Sequence, residues 1–271
     1  MKNILITMDL EDYFYDFGAE YNSSYYKDTL SCLELAVSRL ENLLFQSGNT
    51  INFTIFVTGN LVDKYPEFIK QLSKNHEISS HLYFHDNVSE LKQDEFENQI
   101  IRSIRSILRA TNIWPLGYRS PNFKVLNDEY NSLKVLYKYF SYDSSLFNNS
   151  NNCYEGLIEF PIPCFQLFGY KIKVIGGTYL KFIPFIFLKK VIDNSIKSGN
   201  IPQIYVHPYE LIFDFSFFYN PFKIKNCNII KKLYLLLRQL QWIGPLNILF
   251  YLKLKYIIFN YKHIGRLDEW I

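Results

Sequence analysis

Short β-rich runs alternate with helical patterns from Asn3 to Glu210, and few architectures accommodate that order. Asn3–Met8, residues 51–57, "HEISSH" (76–81), "PLGYRSP" (115–121), "YFSYDSS" (139–145) and "PQIYVHPYE" (202–210) read as strands. Between them the apolar residues repeat at helical spacing. Leu30, Leu33, Val37, Leu40 and Leu44 predict a helix over Thr29–Ser47, with Gly48 as its stop. Further helices are predicted over Leu61–Lys74, with Pro66 near the start, and over Gln93–Ala110, Asp128–Lys138 and Pro184–Lys197. Residues 157–182 read as short strands and loops. Strands joined by single helices and short links run parallel, so the chain is an α/β protein built as a barrel or a doubly wound sheet.

In such sheets the working residues collect at the C-terminal ends of the strands. The first strand ends in "MDLEDYF", which carries Asp9, Glu11 and Asp12; the third runs into His81 and His85. Later strand ends supply Arg119, Asp143 and His207. An H-x-x-x-H pair alone is a weak signal, because two packed or surface histidines produce it equally well. Beside a carboxylate it matches the donor set of a zinc-type site with an open position. Three carboxylates in four residues cannot all be buried and charged without partners. The alternatives are a solvated loop or a division of labour, one acid binding a cation and another serving as a general base. Arg119 is of the type that fixes a catalytic carboxylate, and a histidine supported by an acid makes a general acid near neutral pH.

The stretches "TMDLEDYF", "NHEISSHLYFH", "GYRSPNF", "YDSSLF", "GGTYLKFIPF" and "PQIYVHPYEL" together resemble the NodB-homology polysaccharide deacetylases, in particular the branch found in exopolysaccharide clusters. The resemblance implies a distorted (β/α) barrel over residues 1–214 and removal of an acetyl group from an N-acetylated glycan with the help of a divalent metal, Zn²⁺ or similar. It assigns Asp9 as general base and His207 as general acid, with Arg119 orienting Asp9. Metal binding falls to His81, His85 and an acid of the first motif, Glu11 in preference to Asp12. Asp143 is expected to line the site or support His207, and Tyr118, Pro121, Phe123 and Tyr209 to form the sugar groove. Leu82 and Phe84 depart from the small or hydroxyl residues frequent in relatives. They are the support for a rival reading, a catalytically silent glycan-binding module. Hydrolysis of another non-peptide C–N bond on the same fold is the nearer alternative.

The tail is a separate matter. Residues 215–267 contain no Asp or Glu and nine Lys or Arg, and residues 228–260 are strongly apolar. Helices closing the barrel, a basic segment on an anionic membrane face and a spanning helix all accommodate this pattern. With a net charge of +3 and no reading motif, nucleic acid is not an expected partner. Cys32, Cys153, Cys164 and Cys227 form no C-x-x-C pair, and the N-terminal apolar run is too short for a signal peptide. The expected location is the cytoplasm or the cytoplasmic face of a membrane.

Overall fold

The computed structural model describes residues 2–12, 29–126, 129–148, 153–154, 156–168, 170–213, 220–224 and 227–271. Eight strands in it form a continuous curled sheet. They are β1 (Asn3–Leu10), β2 (Thr54–Val57), β3 (Glu77–Ser80), β4 (Gly117–Tyr118), β5 (Tyr142–Asp143), β6 (Cys153–Tyr154), β7 (Leu157–Glu159) and β10 (Gln203–Val206). Their order is β10-β1-β2-β3-β4-β5-β7-β6, with every pairing parallel except β6 with β7. The path ends on two different strands, so the sheet is a half-barrel and not a closed ring. Strands β8 (Phe165–Leu167) and β9 (Tyr170–Ile172) make a separate antiparallel pair, and β11 (Lys262–His263) joins β1 at its N-terminal end.

Helices α1 (Leu30–Gln46), α2 (Gly59–Lys64), α3 (Pro66–Leu72), α4 (Gln93–Thr111) and α5 (Glu129–Tyr139) make the crossovers, followed by α6 (Gly177–Phe182) and α7 (Phe185–Lys197). The helix expected over Leu61–Lys74 is two helices. Tyr65 leaves helical geometry because Pro66 follows it. Asp128, expected to open α5, lies outside the described residues, as does the expected domain boundary at 214. Strand β1 is buried on both faces, as a central parallel strand must be: Ile4, Ile6, Met8 and Leu10 meet the helices, while Thr7 and Asp9 face the other way.

The tail forms α8 (Ile229–Trp242) and α9 (Asn247–Asn260). Residues 229–260 together are long and apolar enough to cross a membrane, with an 18-residue window of mean hydropathy 1.2. The structure divides them at Ile243–Leu246, leaving two helices of 14 residues each. At ~1.5 Å per residue each is shorter than a ~30 Å hydrocarbon core. Asn247 is fully buried and donates to the carbonyls of Tyr209, Ile212 and Trp242. Lys253 donates to the carbonyls of Leu180, Lys181 and Ile183 at the end of α6. Those bonds tie the tail to the body.

Candidate active site

The C-terminal ends of β1, β3 and β10 converge on one cleft of about 740 Å³. Asp9 sits at its floor. Arg119, just past β4, reaches it at 2.5 Å from Nη1 to Oδ1. The guanidinium is fully buried, and each of its five N–H groups has an acceptor. Nη1 also donates to Thr7 Oγ1, Nε to the Ser144 carbonyl, and Nη2 to Ser144 Oγ and Gln203 Oε1. The ring of Phe56 lies 4.1 Å from the guanidinium carbon. Arg119 therefore has one available position, and so does Asp9 Oδ1.

Glu11 is two residues on, and its carboxylate meets three imidazoles. Oε2 lies 2.6 Å from His85 Nε2 and 3.9 Å from His81 Nε2, and Oε1 lies 3.7 Å from His207 Nε2. Burial alone would raise its pKa. His85, His207 and His81 outweigh that and hold the carboxyl well below the usual carboxylate range. Oε2 is nevertheless buried without a well-aligned hydrogen bond.

His81 Nδ1 faces the Arg119 carbonyl at 2.7 Å, so its proton resides there and the lone pair of Nε2 points at Glu11. Burial lowers its pKa to about 4, which keeps the ring neutral at ordinary pH. The donor atoms of Glu11, His81 and His85 all lie within 4.8 Å of one another. A buried carboxylate oxygen lacking an aligned donor, beside a neutral imidazole with a free lone pair, fits a divalent cation with N/O preference. The two histidines lie on a turn and not a helix. Leu82 between them takes φ 66°, a left-handed value that costs about 1–2 kcal/mol in a non-glycine residue. Its side chain is fully buried in the core around Tyr118 and Ile100, which offsets that cost. The turn is held by Gly59 N to the Leu82 carbonyl, Asn60 N to the Tyr83 carbonyl and Phe84 N to Gln99 Oε1. The third histidine of this stretch, His76, is buried elsewhere, with Nε2 on Glu41.

Across the cleft, His207 Nε2 is 4.0 Å from Asp9 Oδ2, and the ring stacks on Tyr209. Burial would lower its pKa. Glu210, with Glu11 and Asp9, reverses this and pushes it up to about 9. Glu210 Oε2 lies 3.3 Å from His207 Nδ1 and accepts the His207 backbone N–H. Gly176 and Gly177 open α6 against these rings, with φ 78° and 52°; a Cβ on Gly176 would lie 2.2 Å from the Tyr205 ring.

Four expected residues lie elsewhere. Asp12 turns away from the histidines, and its Oδ2 accepts from Thr29 Oγ1 at 2.8 Å and Lys64 Nζ at 3.0 Å. Asp143 neither lines the cleft nor supports His207. Its Oδ1 accepts from Ser144 N and Ser145 Oγ, and Ser145 Oγ in turn accepts the Ser120 N–H, so Asp143 braces the turn that carries Arg119. Burial raises it to about 6 beside Glu159, whose carboxyl burial and the neighbouring Asp143 also push well up. Tyr118 is core, stacked on Phe140, and Pro121 is buried behind the cleft wall. Phe123 and Tyr209 do line the cleft, with Asn122 and Lys173.

Two contributions escape the sequence reading. Glu210 had a visible signal, an acid three residues after a strand-end histidine and just past a proline. The other wall of the cleft had none: Tyr234, Arg238, Gln241 and Trp242 of α8 line it with Asp9, Glu11 and His207, and Arg238 packs on the Trp242 ring.

Comparison with known proteins bears on the fold and the family. Residues 43–137 match the family model for polysaccharide deacetylase, and residues 134–242 match a domain of unknown function, DUF3473, which continues past position 214 into α8. The peptidoglycan-N-acetylglucosamine deacetylase of Bacillus cereus is 27% identical over 124 residues, 44% of this chain and 44% of that protein. The match thus spans less than half of that relative. Among solved structures, a putative polysaccharide deacetylase from Mycobacterium smegmatis aligns with TM-score 0.55 at 16% identity, covering 98% of this chain and 95% of that one. A probable polysaccharide deacetylase from Pseudomonas aeruginosa PAO1 gives 0.52 at 16%, covering 76% and 78%. At these identities the structures attest the fold. The family likeness is carried by residues 43–137, which match the polysaccharide deacetylase model.

Proposed function

We propose that the protein is a metal-dependent hydrolase that removes the N-acetyl group from an N-acetylated sugar of a bacterial polysaccharide or its lipid-linked precursor. The observation that carries this reading is the set of three distinct groups on one cleft: an arginine-fixed carboxylate, a Glu–His–His donor cluster and a protonated histidine opposite. Glu11, His81 and His85 would hold the divalent cation, Zn²⁺ or similar, which when bound supplies Lewis-acid polarisation of the acetyl carbonyl and of water. Asp9, its Oδ1 fixed by Arg119, presents Oδ2 to the cleft and takes a proton from the attacking water. The C–N bond breaks as His207 delivers its Nε2 proton to the departing nitrogen. The products are a free amine and acetic acid, which ionises to acetate by releasing a proton to solvent; the proton held on Asp9 is returned to His207 through solvent, so the atoms and protons balance. Glu210 keeps His207 protonated before that step. Tyr209, Phe123 and Trp242 offer ring faces to a sugar.

The test measures metal content and acetate release from N-acetylated oligosaccharides on the same samples. Wild type is expected to hold about one divalent ion and to release acetate. Asp9→Ala is expected to keep the ion and release none. Wild type that takes up no ion when supplied with it would favour the silent glycan-binding module instead.

A further inference from the structure

The outer faces of α8 and α9 are apolar in a way that packing against the body does not explain. α9 is hydrophobic all round. Phe250, Leu254, Ile257 and Ile258 are buried against the body, yet Leu249, Leu252 and Phe259 on its other side are about half exposed. A helix with no polar face is normally covered on every side. α8 continues this surface with Ile230 at 77% exposure and Leu237 at 66%, and Ile186 near the start of α7 adds 72%. α7 and α9 are neighbours, since Phe185 packs on Tyr256 with ring centroids 4.6 Å apart. Exposed apolar side chains gathered on the tail helices and the neighbouring start of α7 mark an interaction face.

The charges around it indicate the occupant. Lys232 and Lys255 lie on the same two helices and Lys190 on α7, while Lys189 is already paired with Asp193 at 2.6 Å, and residues 215–267 contain no acid. A second copy of the chain would bring lysines against lysines. A surface that is anionic at its edge and apolar beneath satisfies both features. We infer that the outward faces of α8 and α9, with the start of α7, dock on an anionic lipid bilayer. Because the opposite side of α8 carries Tyr234, Arg238 and Trp242 into the cleft, docking presents the active site to membrane-borne glycan. This last consequence rests on the deacetylase reading; the docking itself does not.

The full chain is tested by co-sedimentation with vesicles of phosphatidylcholine, with and without phosphatidylglycerol. Binding is expected to the phosphatidylglycerol vesicles, with at least tenfold less on phosphatidylcholine alone and loss at high salt. Leu249→Glu/Leu252→Glu and, separately, Lys190→Gln/Lys255→Gln should each weaken it about tenfold or more. Leu249, Leu252, Lys190 and Lys255 are all exposed, so circular dichroism and acetate release from water-soluble oligosaccharides should be unchanged. Equal sedimentation with and without vesicles would overturn the inference, as would a concentration-dependent dimer abolished by Leu249→Glu/Leu252→Glu. Vesicle binding in a protein that releases no acetate would leave the docking standing and remove the deacetylase reading.

Discussion

Replacing Arg119 by Met keeps an unbranched stem and removes the guanidinium with its charge. Asp9 is 1% exposed and Arg119 is fully buried, so the substitution leaves a carboxylate in the interior without its guanidinium. It also strips a donor from Thr7 Oγ1, Ser144 and Gln203 Oε1. Breaking a buried pair from one side costs about 3–5 kcal/mol. In a chain of this size each kcal/mol lowers Tm by about 2–4 °C, so the expected drop is about 6–20 °C by circular dichroism. Asp9→Asn in the same chain removes the stranded charge. The double variant Asp9→Asn/Arg119→Met should therefore be more stable than Arg119→Met alone, with a coupling of about 1–3 kcal/mol in a double-mutant cycle. A Tm loss below about 2 °C in Arg119→Met, or a double variant whose losses simply add, would refute the claim that the pair is a buried, mutually dependent unit.

Three further outcomes follow from the same geometry. Glu210→Gln removes an anion 3.3 Å from His207 Nδ1 and should lower the His207 pKa by about one to two units; since a general acid works protonated, the alkaline limb of the kcat profile should move to lower pH, and an unmoved limb would remove Glu210 from this role. In the metal-free protein His207 is raised from 6.5 to about 9, so the stability it contributes is complete below pH 6.5 and is lost as pH rises to about 9, an effect of about 3 kcal/mol at ~1.4 kcal/mol per unit; urea titrations across that window in chelator should show the decline. His81→Ala should abolish metal uptake while Asp12→Asn preserves it and lowers thermal stability through Thr29 and Lys64, and equal loss of metal in both variants would return Asp12 to the site.

The crossover architecture was legible because parallel strands and their helices have different periods, and apolar residues such as Phe96, Ile100 and Ile104 keep theirs over a whole helix. Residues that act at strand ends were legible for the same reason: His81, Arg119 and His207 each follow directly on a strand of the sheet. What the sequence withheld was direction. Tyr118 and Pro121 flank Arg119 closely, but alternate residues on a strand face opposite sides, so Tyr118 turns into the core as Arg119 turns to Asp9. Asp143 is likewise at a strand end, and its partners, Ser145 and Glu159, are set by the pairing of β5 with β7. The α8 wall had no periodic signal linking it to the cleft. Its placement comes from single anchors such as Asn247, whose buried amide gives no pattern in the chain.

The clearest case is the tetrapeptide Asp9-Leu10-Glu11-Asp12, where three acids of similar chemistry acquire three different roles. The period of the strand separates Leu10, which enters the helix-facing core, from Asp9 and Glu11, which face the cleft. Period alone does not divide Asp9 from Glu11; their partners do. Asp9 meets a guanidinium that cannot lose its proton and is fixed by four other acceptors, so Asp9 keeps one oxygen tied and one turned to the cleft. Glu11 meets imidazoles, one of which has already committed its proton to the Arg119 carbonyl and offers only a lone pair. Two facing lone pairs call for a cation between them, and a carboxylate used in that way is not available as a base. Asp12, beyond the end of the strand, falls to Lys64 and Thr29 on α2 and at the start of α1. The proposed division of labour between base and metal ligand is therefore set by the residues at positions 119, 81 and 85, since the acids themselves differ little in chemistry until those partners are in place.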